Sequence, residues 1–209
     1  MQNNSRQSGG SAVWQILFST ERKVFNMTES EKMLAFNRQF VEEKQYEPYM
    51  TSKYPERKVA ILSCMDTRLT ALFPAALGIK NGDVKIIKNA GGMISSPFGS
   101  AVRSLLIAVY ELGVQEIMVI GHTDCGVQHV NSQVMENLMQ QRGVSAETLD
   151  MIRYCGVDLE NWLAGFDCVV ESVTGSVKLL REHPLFPKDI TITGYIMDSV
   201  TGQLNPIED

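Results

Sequence analysis

Two cysteines and a histidine that follow apolar runs are the residues of this chain best suited to metal chemistry. In the run from Glu116 to Cys125, His122 and Cys125 lie three positions apart, directly after an apolar segment. The run Val59-Ala-Ile-Leu-Ser-Cys64 has the same layout, with a cysteine at its end. Imidazole nitrogen and thiolate sulfur are good ligands for a borderline-soft metal such as zinc. One His–Cys pair is a weak signal, but the repeated layout makes Cys64, His122 and Cys125 candidate ligands.

Composition limits the class of protein. A chain of 209 residues, 44% hydrophobic and 21% charged, is typical of one globular domain that folds without disulfides. The net charge of -5 argues against nucleic acid as a partner, because surfaces that bind it are normally basic. No apolar run approaches the roughly 20 residues that span a bilayer, so we expect no membrane partner. Four cysteines, two of them at ligand-like positions, indicate a reducing cytoplasm rather than a secreted disulfide framework.

The first 26 residues differ from the rest of the chain. They open polar and rich in Ser and Gly and then include the apolar run Ala12–Phe18, which lacks the length and the cleavage site of a secretory signal. We expect residues 1–26 to be a flexible extension whose Trp14–Phe18 patch docks on the body or on a partner chain. Met27 resembles a natural start, which favours interpreting residues 1–26 as an addition to the native chain. Residues 27–209 are predicted to form a single domain.

Strands alternate with helices along the rest of the chain. Apolar runs predict strands over Val59–Ser63, Val84–Lys88, Glu116–Ile120, Ile190–Ile196 and, shorter, Gln203–Ile207. Helical spacing predicts helices over Thr28–Lys44 (with a Thr28–Glu31 capping box), Leu69–Leu77, Phe98–Leu112, Val127–Gly143, Ser145–Tyr154, Leu159–Leu163 and Asp167–Arg181. The alternation predicts an α/β fold, a mainly parallel β-sheet flanked by helices on both faces.

The candidate ligands lie where such a sheet binds its ligands, at the carboxyl ends of the strands. Cys64, the run Asn89–Gly92 and the run His122–Cys125 each follow a predicted strand, so three loops should open onto one rim. Three strong ligands rather than four are typical of a catalytic zinc site, which keeps one position for water or substrate. Cys155 and Cys168 are interpreted as ordinary small buried residues.

Asp66 and Arg68 follow Cys64 at alternating positions. If the segment is extended, all three side chains point to the same side of the backbone. The carboxylate is then close enough to compete for the metal, and the guanidinium close enough to hold it away. A surface ion pair of little consequence is the other interpretation. Beside a three-ligand site we favour the functional one.

The combination Cys64-x-Asp66-x-Arg68, Asn89-Ala-Gly-Gly and His122-x-x-Cys125 resembles the β-class carbonic anhydrases, from about Met33 to the C-terminus. It is most similar to their shorter bacterial and archaeal type. The resemblance implies Zn²⁺ as cofactor and a homodimer, often paired into tetramers, with the cleft at the subunit interface. It also implies that the N-terminal helix packs across the partner, and that Asp66 and Arg68 act as a gating dyad. Asp66 paired with Arg68 leaves the fourth metal position to water, whereas Asp66 on the metal excludes water.

The implied activity is reversible hydration of carbon dioxide to bicarbonate and a proton, by attack of zinc-bound hydroxide. Two thiolates offset the metal's charge, so the water should be less acidic than on a three-histidine site, and activity should rise at alkaline pH. Gly91 and Gly92 are predicted to bind substrate through their backbone amides. Lys88 departs from the arginine that many relatives carry before Asn89.

Two further residues, His129 and Asp124, lie in or near the motifs. His129 is predicted to lie on a helix, facing near Cys125. There it is interpreted as structural or exposed, with a proton shuttle as the alternative. Asp124, between two ligands, is a candidate partner for them.

Other functions stay open at this point. Hydrolysis of carbon disulfide or carbonyl sulfide, which members of this fold family perform, differs from hydration in pocket access, which the sequence does not specify. A non-catalytic zinc-binding module and a thiol-based redox protein belong to another class. The intact Asp66 and Arg68 argue against both, and a redox role would predict a Cys64–Cys125 disulfide. The resting fourth ligand, Asp66 or water, and the choice between dimer and tetramer also stay open.

Overall fold

The structure, a computed structural model, describes residues 27–208. The described residues divide into two compact units, residues 27–50 and residues 51–208. The expected flexible extension over residues 1–26, with its Trp14–Phe18 patch, lies outside the described residues. The single domain over residues 27–209 stays a prediction. Within residues 27–208, no helix is long and apolar enough to cross a membrane.

The first unit contains helix α1, Glu29–Glu42, and a 3-10 turn, Glu47–Tyr49. The predicted capping box is confirmed. The Thr28 hydroxyl accepts from the Glu31 backbone N–H, and the Glu31 carboxylate accepts from the Thr28 N–H at 2.7 Å. These bonds satisfy backbone donors that the helix itself leaves unpaired. The helix has no buried residue, and Met33 and Phe36 are 70% and 67% exposed.

The second unit contains a five-stranded sheet. Its strands are β1 Val59–Cys64, β2 Val84–Asn89, β3 Glu116–His122, β4 Thr191–Met197 and β5 Leu204–Pro206. They lie in the order β2-β1-β3-β4-β5, in which β5 alone is antiparallel to its neighbour. The predicted mainly parallel sheet is therefore confirmed. Because β1 and β3 are adjacent and parallel, their carboxyl ends meet at one edge.

Helices cover both faces of the sheet, as predicted. They are α2 Leu69–Ala76, α3 Ser100–Tyr110, α4 Ser132–Gln141, α5 Ala146–Tyr154, α6 Leu159–Leu163 and α7 Val169–Glu182. On one face Leu62 and Val119 pack in a core that includes residues of α3 and α7. On the other, Ile61 packs with Leu69 and Phe73 of α2. Burial of a side chain such as Phe73 contributes about 1.5–3 kcal/mol, so both faces hold β1 and β3 in place.

The start of α4 differs from the prediction. The apolar spacing predicts a helix from Val127, but α4 begins at Ser132, and Asn131 is its N-cap residue. The preceding residues pair instead with a distant segment. His129 donates its N–H to Phe166 O at 2.9 Å, and Gly165 donates to Val130 O at 2.9 Å. Long-range pairing therefore overrides the local helical pattern here.

Candidate metal centre

The three candidate ligands come together at the rim formed by β1 and β3. Cys64 and His122 are the last residues of these strands, and Cys125 lies in the turn that follows β3. All three are buried, with exposed fractions of 3%, 0% and 6%. Their ligand atoms lie within 4.8 Å of one another, and theirs is the only such group of three found in the described part of the chain.

The geometry of these donors fits zinc. The Cys64 and Cys125 sulfur atoms are 3.8 Å apart. Two sulfurs at about 2.3 Å from a tetrahedral zinc would be separated by about 3.8 Å. The Nδ1 atom of His122 lies 2.9 Å from Thr123 O, which can only accept, so Nδ1 carries the proton. The lone pair of Nε2 is therefore free, and this atom is buried without a hydrogen-bond partner.

The surroundings of Cys64 favour the thiolate that a metal requires. Burial alone would raise the pKa of this thiol, but contact with His122 and the backbone N–H groups of Asp66 and Gly91 lower it to about 7. Contact with Cys64 in turn raises the pKa of His122, against the effect of burial. Burial raises the pKa of the Cys125 thiol. A cation placed between the two sulfurs would favour the deprotonated form of both.

Asp66 and Arg68 form the expected pair by a different geometry. Strand β1 ends at Cys64, and Arg68 has helical backbone angles at the start of α2, so the segment is not extended as predicted. A tight turn brings the side chains together instead. Arg68 Nε donates to Asp66 Oδ1 at 3.0 Å and Nη2 to Oδ2 at 2.8 Å. These bonds lower the pKa of Asp66 to about 2. Asp66 Oδ2 lies 3.9 Å from Nε2 of His122, within reach of the ligand group.

Asp124 is a second partner of Arg68. Arg68 Nη1 donates to Asp124 Oδ2 at 2.7 Å, and Nη2 donates to Asp124 O at 2.6 Å. Asp124 has a φ of 53°, an uncommon backbone conformation for a residue other than glycine. Sequence reasoning placed Asp124 near the ligands, and the structure shows that its carboxylate pairs with Arg68. Arg68 therefore joins the turn after β1 to the turn after β3.

The glycine-rich run after β2 packs against Cys64. Gly92, at φ 62°, lies so close to β1 that an added Cβ would come within 2.7 Å of the Cys64 backbone nitrogen. The N–H of Gly91 contributes to the lowered pKa of Cys64, so it lies against the sulfur. The Asn89 amide donates to Met93 O at 2.7 Å and accepts from Met93 N at 3.1 Å, which closes the turn.

Three histidine and cysteine expectations need correction. His129 is not on a helix. It has a φ of 62°, and its Nδ1 lies 3.4 Å from the exposed Asp167 carboxylate. Cys155 is exposed rather than buried, because it lies at the C-terminal end of α5. Cys168 is half-buried and precedes α7 instead of lying within it.

Sequence reasoning missed a contact between Thr123, which follows His122, and a distant segment of the chain. Thr123 is one of the two unspecified positions in the His122-x-x-Cys125 motif, and Ser199 is 76 residues away in sequence. Their side chains meet, with the two hydroxyl oxygens 3.2 Å apart. The parallel pairing of β3 with β4 creates this contact. No residue spacing in the sequence predicts it.

A mainly parallel sheet with a buried Cys–His–Cys group at its rim has the donor set of a catalytic zinc site, in which three protein ligands leave one position for water or substrate. The carbonic anhydrase family model matches residues 59–204. The chain is 49% identical over 175 residues to YtiB of Bacillus subtilis (strain 168), provisionally named a carbonic anhydrase, covering 84% of this chain and 94% of YtiB. The chain therefore belongs to the β-class carbonic anhydrases.

Two other relatives bear on fold and activity. The crystal structure of β-carbonic anhydrase isoform I (TvaCA1) from Trichomonas vaginalis matches with a TM-score of 0.80 at 35% identity, covering 88% of this chain and 99% of that chain. A carbon disulfide hydrolase of Acidithiobacillus thiooxidans is 31% identical over 159 residues, covering 72% of this chain and 77% of the hydrolase. The family thus includes relatives with a different named substrate.

Proposed function

We propose that this protein catalyses the reversible hydration of carbon dioxide to bicarbonate and a proton. The observation that carries this proposal is the buried Cys64–His122–Cys125 group with the Asp66–Arg68 pair beside it. Membership of the carbonic anhydrase family supports it. When bound, Zn²⁺ supplies the Lewis acidity that makes water a nucleophile near neutral pH.

Each site residue has a proposed role. Cys64, His122 and Cys125 hold the metal through two sulfurs and one nitrogen. Arg68 holds the Asp66 carboxylate away from the fourth coordination position. A carboxylate bound at that position would exclude water. This role is supported by the two hydrogen bonds between them and by the 3.9 Å separation of Asp66 from His122 Nε2.

The backbone amides of Gly91 and Gly92 are the proposed substrate contacts. Both residues are buried beside Cys64, which supports a place next to the reacting molecules. The N–H of Gly91 already lies against the Cys64 sulfur. Gly92 is therefore the stronger candidate for donation to substrate.

The decisive experiment is stopped-flow hydration of carbon dioxide at about pH 8.5, where a site with two thiolates should be active. Zinc is quantified in the same preparations of wild type and Cys125→Ala. We expect rapid hydration with one zinc per chain in wild type and loss of both in the variant, because two ligands hold zinc far less tightly than three. The matched control is Cys155→Ala, an exposed cysteine, which should retain both. Stoichiometric zinc without hydration at any alkaline pH would contradict the proposal.

Hydrolysis of carbon disulfide is the second candidate, favoured by the relative of that name at 31% identity. The higher identity to YtiB favours carbon dioxide. Release of hydrogen sulfide from carbon disulfide, measured on the same zinc-loaded protein, separates the two. Release faster than carbon dioxide hydration would assign the chain to the second activity.

We also propose a cytoplasmic homodimer, or a tetramer made of two dimers, in which residues 27–209 act as a single domain. The exposed apolar side chains Met33 and Phe36 of α1 support an assembly that covers them. The free thiols of Cys64 and Cys125 support a reducing compartment, because a disulfide between them would remove both ligands. Light scattering should give at least twice the 23.3 kDa chain mass, and a monomer would contradict the assembly.

A further inference from the structure

We propose that Thr123 and Ser199 are positioning residues of the metal centre. They hold the Thr123 carbonyl group that fixes the ring of His122 with Nε2 towards the metal position. This inference rests on the proposed role of His122 as a ligand. It is carried by two sets of contacts that meet at Thr123. The Thr123 hydroxyl is hydrogen-bonded to Ser199 in the turn after β4, and the Thr123 carbonyl is hydrogen-bonded to the imidazole of His122.

The first link is the bond from His122 Nδ1 to Thr123 O, 2.9 Å long. Because His122 is fully buried, water cannot easily replace this acceptor. The bond therefore decides both the tautomer and the rotation of the ring. Hydrogen-bond partners of this kind orient histidine ligands in metal sites, and their loss typically weakens metal binding.

The second link is what holds Thr123 itself. Its backbone N–H donates to Met197 O at 3.0 Å, which extends the pairing of β3 with β4 by one residue. Its side-chain oxygen accepts from the Ser199 N–H at 3.0 Å and shares a hydrogen bond with Ser199 Oγ at 3.2 Å. Immediately afterwards the chain turns at Asp124, with a φ of 53°. The Thr123 hydroxyl therefore anchors the backbone at the point where regular strand pairing ends.

The third link is the rigidity of the turn that carries Ser199. Ser199 is only 4% exposed. The preceding Asp198 carboxylate accepts from the backbone N–H groups of Val200 and Thr201, at 3.0 and 2.7 Å. Gly202 closes the turn by donating to Asp198 O at 2.9 Å. A turn fixed by its own hydrogen bonds is a suitable anchor, because it does not have to be ordered when the metal binds.

The proposal predicts graded losses of zinc affinity. Thr123→Val removes the hydroxyl but keeps the shape, so both bonds to Ser199 are lost. We expect zinc binding, measured by competition with a chromophoric chelator, to weaken by about 10- to 100-fold. Ser199→Ala keeps the backbone N–H bond and loses only the hydroxyl contact, so its loss should be smaller. Thr123→Ser keeps the hydroxyl and should bind zinc like wild type.

A second readout and a matched control distinguish the positioning role of Thr123 and Ser199 from a purely structural one. The free energy of unfolding of each metal-free variant is measured in urea, and the cobalt-loaded forms give a visible spectrum that reports ligand geometry. Ser145→Ala is the control, because Ser145 Oγ contacts Thr148 Oγ1 at 3.2 Å and accepts from the Thr148 N–H at 3.2 Å, in the N-cap of α5. This variant should lose stability but keep wild-type zinc affinity and cobalt spectrum.

The outcomes distinguish this proposal from the proposed function. Unchanged zinc affinity and cobalt spectrum in folded Thr123→Val, whatever its stability, would overturn the positioning role. Weaker binding in Thr123→Val that Thr123→Ser restores would support it. Wild-type protein that binds zinc but hydrates no carbon dioxide would overturn the activity while leaving the positioning result standing. Wild type without zinc affinity would overturn both.

Discussion

Arg68 is the residue with the most connected role in the site. Its guanidinium group makes two hydrogen bonds to the Asp66 carboxylate and two to Asp124, one of them to the backbone carbonyl. A planar fork can satisfy two partners at once in a way that a lysine ammonium cannot. Arg68 therefore both restrains Asp66 and connects the turn that follows Cys64 with the turn that carries Cys125.

Arg68→Ala should lower the rate of carbon dioxide hydration by at least about tenfold, equivalent to about 1.4 kcal/mol in activation free energy. Without the guanidinium, Asp66 is free to move the short distance to the metal position. Stopped-flow kinetics measures the rate, and metal analysis should still find zinc. Arg68→Lys keeps the charge but not the planar fork of donors. Its hydration rate should lie between those of wild type and Arg68→Ala. Full activity in Arg68→Ala would exclude the gating role.

The expected alkaline rise in activity does not come from Asp66. Arg68 lowers the pKa of Asp66 to about 2, and its removal should raise this pKa towards the ordinary value of about 3.9. A carboxylate with either pKa is charged throughout the range above pH 6. The loss in Arg68→Ala should therefore persist across that range, and its size should not follow a titration of Asp66.

At the scale of elements, the glycine-rich turn after β2 shows how backbone packing shapes the site. Gly92 combines a left-handed φ of 62° with a backbone contact to Cys64, and Gly78, after α2, has a similar φ of 58° with no atom within 4 Å of an added Cβ. Gly78→Ala therefore has only the conformational cost, about 1–2 kcal/mol. Gly92→Ala should lose more free energy of unfolding than this in urea titrations and should also weaken zinc binding. Equal losses in the two variants would show that the contact with Cys64 is unimportant.

The elements also show which features the sequence can predict. Strands β1 and β3 have continuous apolar runs that end at a ligand, and their boundaries lie within two residues of the prediction. The predicted start of α4 was wrong. Val127 and Val130 have helical spacing, but they belong to a turn that pairs with residues near Phe166. The Asp66–Arg68 pair was expected for a wrong reason, since a turn rather than an extended segment forms it. Local patterns reveal strands and candidate ligands, whereas contacts made by distant segments, such as that of Thr123 with Ser199, are not encoded in any local spacing.

At the scale of the whole molecule, the metal centre should contribute to stability as well as to chemistry. Its candidate ligands come from the ends of two neighbouring strands and from the turn after β3, so only the folded chain presents all three together. A ligand that binds only the folded state stabilises it by about 2.7 kcal/mol when its free concentration is 100 times its Kd. Removal of zinc by a chelator should therefore lower the denaturation midpoint of wild type.

The same treatment should leave Cys125→Ala almost unchanged, because that variant lacks one of the ligands. The free energy of unfolding, measured in urea with and without free zinc, checks this prediction for wild type and for Cys125→Ala. Thr123→Val should lie between them, since its ligands are intact but its histidine is less well held. A chelator effect of equal size in wild type and Cys125→Ala would mean that the stabilising zinc binds elsewhere. The ordering of the three proteins thus links the bond at His122 to the stability of the whole fold.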